Sequence, residues 1–399
     1  MSKRVWILGA GFSRPLGGPL LNELMRSEVL NHLEACYPKA QFPKLDALIY
    51  DLVLRLYSYG SRSADNQARN RWNDVGEFIW GDAEQFLDYM DTAAAGGAGS
   101  PAYHRLVRIF KSWNCAPDVI PEPLELSRAA KRIVAAYCSA FLVGADPSTE
   151  RWSPFVDWAS RLTNDDTIIT FNYDCVIEKL NAVTNKIHVV RLGESAMHSL
   201  SYHQRARLLK LHGSVNWQVK GLPDDSRELP TGEETVEVHH QPDFDFALKC
   251  KDSELAIASP GPLKKRISDG WLRQLWVAGE EAIRSADSIV FIGFRFPPSD
   301  SHARERLLTA IRGNEKAYLA VHTVLGVNSP DAQRLQSLLR FALSDRHPIA
   351  DGSPPQNAGG LRFTLVDHPL YGEDFLSVCP AKWIDEPWRM FSSHWPQRR

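Results

Sequence analysis

Short, almost wholly apolar segments that end abruptly in glycine or polar residues are the feature that most constrains this chain. Examples are "RVWIL" (4–8), "DTIITF" (166–171) and "SIVFIGF" (288–294). Runs of this kind, rich in β-branched residues, are typical of strands that are buried on both faces. Other segments carry apolar residues at three- and four-residue spacing, which is the period of an amphipathic helix. The alternation predicts an α/β fold with a Rossmann-like, doubly wound and mainly parallel sheet.

The stretch from residue 45 to residue 160 interrupts this alternation. It contains no convincing strand, but a succession of segments with helical spacing, separated by clusters of Gly, Ala, Ser and Pro. A chain of 399 residues exceeds the size at which one core keeps growing, so two subdomains are expected. We therefore predict a sheet domain formed by residues 1–44 and 161–399, with an inserted helical subdomain at 45–160.

Charge and composition argue against several classes of function. The 46 Lys and Arg residues nearly balance the 48 Asp and Glu residues, so no global positive field favours nucleic acid or a membrane surface. No apolar run approaches the ~18 residues that a membrane span needs, and we expect a cytoplasmic protein. The six cysteines form no C-x-x-C pair, and the histidines lack the spacing of metal ligands. No metal site is therefore predicted.

Glycines and polar side chains occupy the predicted carboxyl ends of the strands, where ligands bind in doubly wound sheets. After the first strand, "GAGFS" (9–13) allows a tight turn and close approach to a phosphate, although such turns are often purely structural. Asn172 and Asp174 follow "DTIITF", and either could cap the next helix or belong to a site. His212 ends the run "RLLKL", and is either a satisfied core residue or a general base.

Five short motifs follow one another at these strand ends: "GAGFS", "FNYD", "KLHGS", "GFRFP" and "VNSP". In this order they resemble the sirtuin-like (Sir2-type) NAD-binding family, and most closely the bacterial sirtuin-like NADases of antiphage defence. The resemblance reaches from residue 4 to about residue 330, in islands separated by unmatched sequence. "GPLLNEL" and "DAEQFL" also look like that family. The resemblance implies that NAD+ is the substrate.

The resemblance also implies a role for each matching residue. Asn172, Asp174 and His212 would surround the nicotinamide ribose. There the amide would hold a ribose hydroxyl or the attacking water, the imidazole would accept a proton, and the carboxylate would bind the carboxamide. The other implied NAD+-binding residues are Gly9, Ala10, Gly11, Phe12 and Ser13 at the pyrophosphate, Gly293, Phe294 and Arg295 at the phosphates and ribose, Asn328 at the adenine-side ribose, and in addition Gly18, Gly213 and Ser214.

Two departures from the deacylating sirtuins bear on the expected activity. Those enzymes carry a four-cysteine zinc module that helps to form the acyl-peptide cleft, and this sequence has no matching quartet. Their Gly-Thr-Ser turn is here Gly293, Phe294 and Arg295, which replaces two hydroxyls by a ring and a guanidinium. Arg295 either pairs with a phosphate or is a solvated surface charge. The missing zinc module favours NAD+ hydrolysis over protein deacylation.

The sequence therefore predicts an NAD+ glycohydrolase that releases nicotinamide and linear or cyclic ADP-ribose, as the toxic effector of bacterial antiphage defence by abortive infection. An enzyme that kills its host when active needs a silent state, so we expect a homo-oligomer and a trigger partner. Family analogy points to a HerA-type ATPase or a short Argonaute protein. One alternative is a non-catalytic module that binds NAD or ADP-ribose and reports it to a partner. The other is an NAD-dependent deacylase or ADP-ribosyltransferase.

Overall fold

The computed structural model describes residues 2–25, 47–60, 83–190, 204–220, 235–239, 246, 250, 254–258, 267–297, 300–349, 360–378 and 381–387. The strands within them are β1 (Arg4–Leu8), β2 (Asp166–Thr170), β3 (Ile187–Val189), β4 (Ala206–Lys210), β5 (Gly213–Lys220), β6 (Thr235–Val238), β7 (Leu255–Ile257), β8 (Ser288–Ile292), β9 (Tyr318–Val324), β10 (His347–Pro348) and β11 (Arg362–His368). The α-helices are α1 (Ala10–Ser13), α2 (Ala47–Gly60), α3 (Ala83–Gly96), α4 (Pro101–Ser112), α5 (Pro123–Ala140), α6 (Ser153–Ser160), α7 (Val176–Thr184), α8 (Arg273–Arg284), α9 (Ser301–Arg312), α10 (Pro330–Ala342), α11 (Gly372–Val378) and α12 (Ala381–Asp385).

The central sheet has the strand order β10-β11-β9-β8-β1-β2-β4-β3, and every pairing between neighbours is parallel. Along β1, Trp6 and Leu8 belong to one apolar core, whereas Val5 and Ile7 belong to the other. Successive side chains of a strand point to opposite faces, so both faces of this sheet are covered. The predicted α/β, Rossmann-like fold with a mainly parallel sheet is confirmed.

The order of the strands reverses direction at β1. Strands β2, β4 and β3 lie to one side of β1, and β8, β9, β11 and β10 lie to the other. Leu8 at the end of β1 is level with Thr170 of β2 and Ile292 of β8, so the segments that follow these three strands leave the sheet at the same height. A crevice at such a reversal is the usual ligand site of an open α/β sheet.

Helices α2 to α6 lie between β1 and β2 in the chain, in the region predicted to be helical. Helix α4 shows how its sequence produces this structure: Ser100 caps it by accepting a hydrogen bond from the amide of Tyr103 at 3.1 Å, and Pro101 occupies its first turn. Its buried face, which includes Leu106 and Phe110, belongs to the same apolar cluster as one face of the sheet. The boundaries 45 and 160 of an inserted subdomain stay a prediction.

Several predicted segments are only partly covered by the described residues. The Leu-rich segment after Pro19 has helical spacing and predicts a helix; the structure has a 3₁₀ turn at Leu21–Glu23, and residues from 26 lie outside the described part of the chain. The polar, acidic stretch 221–234, which predicts a solvated loop, and the residues from 388 also lie outside it. A three-stranded antiparallel sheet, β6-β5-β7, was not predicted as a sheet. Among the described residues, no helix combines the length and the apolar character needed to cross a membrane.

Two buried histidines connect the far side of the sheet to the last helix. His322 of β9 lies with its Nδ1 3.0 Å from Nε2 of His368 on β11, and its own Nε2 lies 2.9 Å from the carbonyl oxygen of Ile384 in α12. Because a carbonyl only accepts, Nε2 of His322 carries the proton and donates it. Burial lowers the pKa of His322 to about 4 and, together with the neighbouring His322, lowers the pKa of His368 well below its usual value.

These lowered pKa values predict a loss of stability in mild acid. In the unfolded chain both histidines take up protons near pH 6.5, whereas in the folded chain they stay neutral until the pH is far lower. Their stabilisation is therefore present above pH 6.5 and is lost as the pH falls below it, by roughly 2 kcal/mol at pH 5 for His322, whose pKa in the folded chain is about 4. Urea unfolding of the wild type at pH 7.5 and pH 5 should show this difference.

The variant pair His322→Gln and His368→Gln serves as the comparison for this pH effect. Both substitutions together should remove most of the pH-dependent difference, even though they lower the stability at pH 7.5. His104→Gln, on the exposed face of α4, should leave the difference unchanged. An equal difference in the double variant and the wild type would show that the buried histidines are not its source.

Candidate functional site

Two glycine turns touch each other backbone to backbone where β1 and β8 end. A Cβ atom on Gly9 would lie 2.6 Å from the carbonyl oxygen of Gly293, and a Cβ on Gly293 would lie 2.4 Å from Cα of Gly11. The amide of Gly9 donates to Ile292 O at 3.0 Å. Gly293 has a φ of +65°, a conformation that glycine adopts without steric cost. Only residues without a side chain fit this contact, so the two turns meet through their backbones at the floor of the crevice.

The polar residues after β2 are hydrogen-bonded to the first glycine turn. The side-chain amide of Asn172 donates to Gly9 O at 3.0 Å and to Ser13 Oγ at 3.1 Å. Because Gly9 O can only accept, the NH₂ end of the amide must face it, and Oδ1 is the end that remains for a ligand. Ser13 is buried and also hydrogen-bonds to Asp174. Asn172 thus fixes the turn at the same time as it lines the crevice.

Asp174 combines a helix-capping contact with a place on the cavity wall. Its Oδ1 accepts a hydrogen bond from the amide of Val176 at 3.0 Å, at the start of α7, and the residue also lines the cavity described below. Burial raises the pKa of Asp174, and Lys210, the Val176 amide and Ser13 oppose this effect. Both interpretations of this residue left open by the sequence, cap and site, are therefore compatible with its position.

A buried lysine ties the loop after β2 to β4. Lys210, at the end of β4, donates to the carbonyl oxygen of Asp174 at 2.5 Å and to Glu178 Oε1 at 2.8 Å. Burial lowers the pKa of Lys210, but the carboxylate of Glu178, with further help from Cys175 and Asp174, outweighs this and raises it overall. The lysine is therefore charged, and it holds the segment with Asn172 beside the strand that leads to His212.

His212 lies two residues beyond β4 and faces a buried carboxylate. Its Nε2 is 3.1 Å from Oδ2 of Asp300, and both side chains are almost fully buried. The second oxygen of Asp300 accepts from the amide of Ala303 at 3.2 Å and so caps α9. A carboxylate facing Nε2 favours the tautomer protonated there, which makes Nδ1 the nitrogen that can accept a proton. The two groups are those of a base with an orienting acid, at the distance of an ion pair but without the angles of a regular hydrogen bond.

Asn172 and His212 line one cavity, with a volume of about 110 Å³. Its wall also contains the aromatic rings of Phe171 and Phe294, which stack with centroids 4.3 Å apart and an interplanar angle of 16°. The remaining lining residues are Gly9, Ala10, Pro19, Leu21, Leu24, Glu84, Cys138, Tyr173, Asp174, Gly293, Arg295, Pro297 and Asp300. We call this the catalytic cavity, after the catalytic roles that the resemblance predicts for Asn172, Asp174 and His212.

The thiol in the catalytic cavity is not suited to be a nucleophile. Cys138 lines the wall, but its burial, with a contribution from Asp174, raises its pKa well above the usual value. A thiol of this kind stays protonated at neutral pH, and only the thiolate is reactive. Among the described residues, no group of three or more His, Cys, Asp or Glu side chains is arranged to hold a metal ion. The imidazole of His212 is therefore the best-placed base on this wall.

A second cavity, of about 320 Å³, lies on the other side of the glycine contact. Gly293 lines both cavities, so the touching turns form the wall between them. The other residues around the second cavity are Gly11, Arg14, Pro15, Leu20, Val324, Leu325, Gly326, Tyr371, Gly372 and Glu373. Two cavities on either side of the glycine turns offer one place for each half of a dinucleotide, which has two bulky halves linked by a pyrophosphate.

Four of the residues that the resemblance placed around NAD+ line neither cavity and have contacts within the scaffold, and their roles at NAD+ stay predictions. Phe12 is buried in the apolar core and packs edge-on against Phe155 and Trp158. Gly18 lies against Ser13, where a Cβ would be 2.7 Å from that of the serine. Phe12 and Gly18 thus pack within or against the first glycine turn, and neither contributes a side chain to either cavity.

The other two scaffold positions, Gly213 and Ser214, begin β5. A Cβ on Gly213 would lie 1.9 Å from the carbonyl oxygen of Ala256, and Gly213 has a φ of +76°. Ser214 is fully buried and its hydroxyl is 2.6 Å from Oδ1 of Asn216. The glycine is therefore required by the close approach of β7 to β5 in the three-stranded sheet.

Arg295 and Asn328 differ in their relation to the two cavities. Arg295 lines the rim of the catalytic cavity, is half exposed and pairs with Asp331 at 2.6 Å. Asn328 is exposed, with a φ of +55°, and lines neither cavity, whereas Gly326, two residues earlier, lines the second one. The roles that the resemblance gives to Arg295 and Asn328 stay predictions.

The sequence assigned no role to Asp300, Glu84, Tyr371 or Glu373. Asp300 stands in "SDSHAR", which is the signal of a helix N-cap. Glu84 belongs to "DAEQFL", which was noted only as similar to the Sir2-type family, and it comes from the helical region, which no strand-end rule covers. Tyr371 and Glu373 follow β11 in "HPLYGED", and this strand end with its glycine obeys the same rule that found the five motifs. The signal was present there and was not used.

Residues 166–340 match the family model of the SIR2-like domain. The matched range contains β2, β4, β8 and β9 with Asn172, His212 and Gly293, whereas the first glycine turn lies before it. No curated protein matches the chain significantly. Sir2-type domains generally use NAD+ as a substrate, so the match indicates an NAD-related activity for this region.

Proposed function

We propose that the protein is an NAD+ glycohydrolase, which hydrolyses NAD+ to nicotinamide and ADP-ribose as the toxic effector of a bacterial antiphage defence system. The observation that carries the proposal is that Asn172 and His212 line one cavity beside two touching glycine turns. Such a cavity offers a base, an amide for orientation and backbone groups for a pyrophosphate. These are the groups that this hydrolysis needs.

The charges around the catalytic cavity also support the proposal. NAD+ carries a positive nicotinamide ring, and positive charge develops on the ribose as the glycosidic bond breaks. Three carboxyl groups line the cavity, those of Glu84, Asp174 and Asp300. The guanidinium of Arg295 at the rim is paired with Asp331. Fixed negative groups in a buried site stabilise a cationic transition state more than water does.

In the proposed mechanism, the bond between ribose C1′ and the nicotinamide nitrogen breaks, and its electron pair leaves with neutral nicotinamide. Water adds to C1′ and releases a proton. His212 accepts this proton, directly or from a ribose hydroxyl that relays it, and Asp300 stabilises the resulting imidazolium. Asn172 orients the sugar or the water through Oδ1, and Asp174 hydrogen-bonds to the carboxamide. No metal is needed, because the leaving group departs uncharged.

The activity requires control, since unregulated cleavage of NAD+ would kill the host. As part of the proposal, the protein is silent in a homo-oligomer until a partner, a HerA-type ATPase or a short Argonaute protein, reports infection. The test of the function uses the full chain with NAD+, alone and mixed with each candidate partner, and measures free nicotinamide and ADP-ribose by chromatography. Stoichiometric release of both is expected.

Three other results would contradict this function. Binding of ADP-ribose without nicotinamide release in any assembly would favour a sensor module that only binds the nucleotide. Release that occurs only when an acyl-peptide is added would favour a deacylase, and transfer of ADP-ribose to a protein would favour a transferase.

Asp300→Asn should lower kcat for nicotinamide release by roughly ten- to a hundredfold and leave KM within about twofold. Asparagine keeps an oxygen that can cap α9, so the fold should be retained. It cannot stabilise an imidazolium by charge, which is why kcat should fall. Steady-state kinetics and urea unfolding of the variant check both expectations. Asp345→Asn, an exposed carboxylate paired with Arg312, is the control, and an unchanged kcat in Asp300→Asn would exclude the proposed role.

A further inference from the structure

The second cavity is the place for the half of the substrate that does not react. If the pyrophosphate of NAD+ lies across the touching glycine turns, as the proposed function implies, then the nicotinamide riboside occupies the catalytic cavity and the adenosine occupies the second cavity. The inference below rests on that function. It concerns which adenosine the second cavity accepts, a property that the motifs of the sequence do not address.

The ends of β9 and β11 hold the wall of the second cavity rigidly. The amide of Gly326, after β9, donates to the carbonyl oxygen of Leu370, after β11, at 2.9 Å. Gly326 has a φ of +91°, and a Cβ there would lie 2.8 Å from the ring of Tyr371. This ring is 54% exposed, so an aromatic face remains available for a purine. Glu373 follows two residues later, in the first turn of α11.

Glu373 brings a carboxylate to this wall. The residue lines the second cavity and its side chain is partly exposed, whereas its Oε2 is shielded from solvent and has no hydrogen-bond partner among the described residues. A ligand hydroxyl in the cavity would donate to the accessible part of this carboxylate. A hydrogen bond to a charged acceptor is also stronger than one between neutral groups.

Arg14, on the same wall, does not neutralise the negative charge of the Glu373 carboxylate. Arg14 lines the second cavity, but its guanidinium is 2.5 Å from Glu23 Oε2, and that carboxylate also accepts from the amide of Leu20 at 2.9 Å. With Arg14 neutralised by Glu23, the wall presents a negative acceptor at Glu373. Such a wall suits a hydroxyl group and disfavours a phosphate.

We propose that Glu373 makes the site selective for NAD+ over NADP+. Its carboxylate accepts a hydrogen bond from the 2′-hydroxyl of the adenosine ribose and repels the 2′-phosphate that NADP+ carries at the same position. An acidic residue at the end of a strand plays this part in other dinucleotide-binding sheets, where the ribose hydroxyl of NAD is recognised and the extra phosphate is excluded. Glu373 is a specificity-determining residue, and it takes no part in the bond-breaking step.

The test compares the binding of ADP-ribose and 2′-phospho-ADP-ribose to the full chain by calorimetry. Neither nucleotide can be cleaved to nicotinamide, so the readout does not depend on activation. The wild type should bind ADP-ribose at least roughly tenfold more tightly than its 2′-phosphate. Glu373→Gln should bring the two affinities to within about threefold, chiefly by improving the binding of the phosphorylated ligand. Glu305→Gln, an exposed position on α9, removes the same charge and should keep the wild-type preference.

The outcomes separate this inference from the function on which it rests. Tight binding of ADP-ribose with no preference in the wild type, or with the same preference in Glu373→Gln, would overturn the selectivity and leave the function intact. Failure of the wild type to bind either nucleotide would overturn both. Glu373→Asp serves as a second variant: it keeps the charge, so it should continue to reject the 2′-phosphate even where the shorter side chain weakens the binding of ADP-ribose.

Discussion

His212→Ala should reduce nicotinamide release by roughly 10²- to 10⁴-fold and change the affinity for ADP-ribose by no more than a few-fold. General base catalysis is worth about this much, and a group that acts only in the transition state affects kcat far more than binding. His212 is buried at the end of β4, with Asp300 3.1 Å from its Nε2. Single-turnover kinetics in the activated assembly and calorimetry with ADP-ribose measure the two effects separately.

The alanine variant also removes the N–H group that faces Asp300 and a ring that packs edge-on against Phe171 at 4.8 Å. His212→Gln is therefore the sharper variant, because glutamine retains an N–H donor and most of the volume but has no basic nitrogen. It should be as inactive as alanine and more stable. His104→Ala, at an exposed position, controls for the loss of a histidine. Normal turnover in His212→Gln would remove the imidazole from the mechanism.

Gly293→Ala should lower the free energy of unfolding by about 2–4 kcal/mol and abolish the binding of ADP-ribose. An added Cβ would lie 2.4 Å from Cα of Gly11 and 2.6 Å from the amide nitrogen of Phe12. Both are backbone atoms, so a side chain cannot move aside to relieve the collision, and overpacking of this kind costs about 1–3 kcal/mol. The φ of +65° adds about 1 kcal/mol for any residue with a Cβ. Urea unfolding and calorimetry provide the two measurements.

The control variant Gly144→Ala separates the cost of the backbone collision from the cost of the positive φ. Gly144 has nearly the same backbone conformation, with a φ of +67°, but an added Cβ would meet nothing within 4 Å. This control should lose only the ~1 kcal/mol due to the conformation and should bind ADP-ribose normally. Equal destabilisation of the two variants would mean that the contact between the glycine turns relaxes freely. In that case the rigid cradle proposed for the pyrophosphate would not exist.

The strands of the central sheet were largely predictable, because each is a short apolar run bounded by polar or glycine residues. "RVWIL" is β1, and "DTIITF" exceeds β2 by one residue. A strand that is buried on both faces does not alternate apolar and polar residues but is apolar throughout, and the sequence shows runs of that kind. The three-stranded antiparallel sheet β6-β5-β7 was harder to predict, since β6 and β7 are only four and three residues long. Strands of that length carry too few residues for a period to be read.

Part of the candidate site was predictable from local sequence patterns, and part of it depends on contacts between distant segments of the chain. Asn172, Asp174 and His212 were selected as polar residues at the ends of apolar strands, a local pattern, and all three line the catalytic cavity. Asp300 looked like a helix cap, which it is, but its second oxygen reaches His212 only because β4 and α9 meet in the folded chain. No spacing in the sequence encodes that contact, because the two residues belong to different crossover units.

The amino-acid sequence by itself determined which segments become strands and which chemical groups stand at their ends, because burial and periodicity act over a few neighbouring residues. Tertiary structure alone decided the strand order around β1, the contact of Gly293 with Gly11, and the separation of the crevice into two cavities. It also decided that Phe12 would pack in the core and that Glu373 would line the second cavity. The physical reason is that strand order and backbone contacts depend on packing between distant parts of the chain, where a local pattern carries no information.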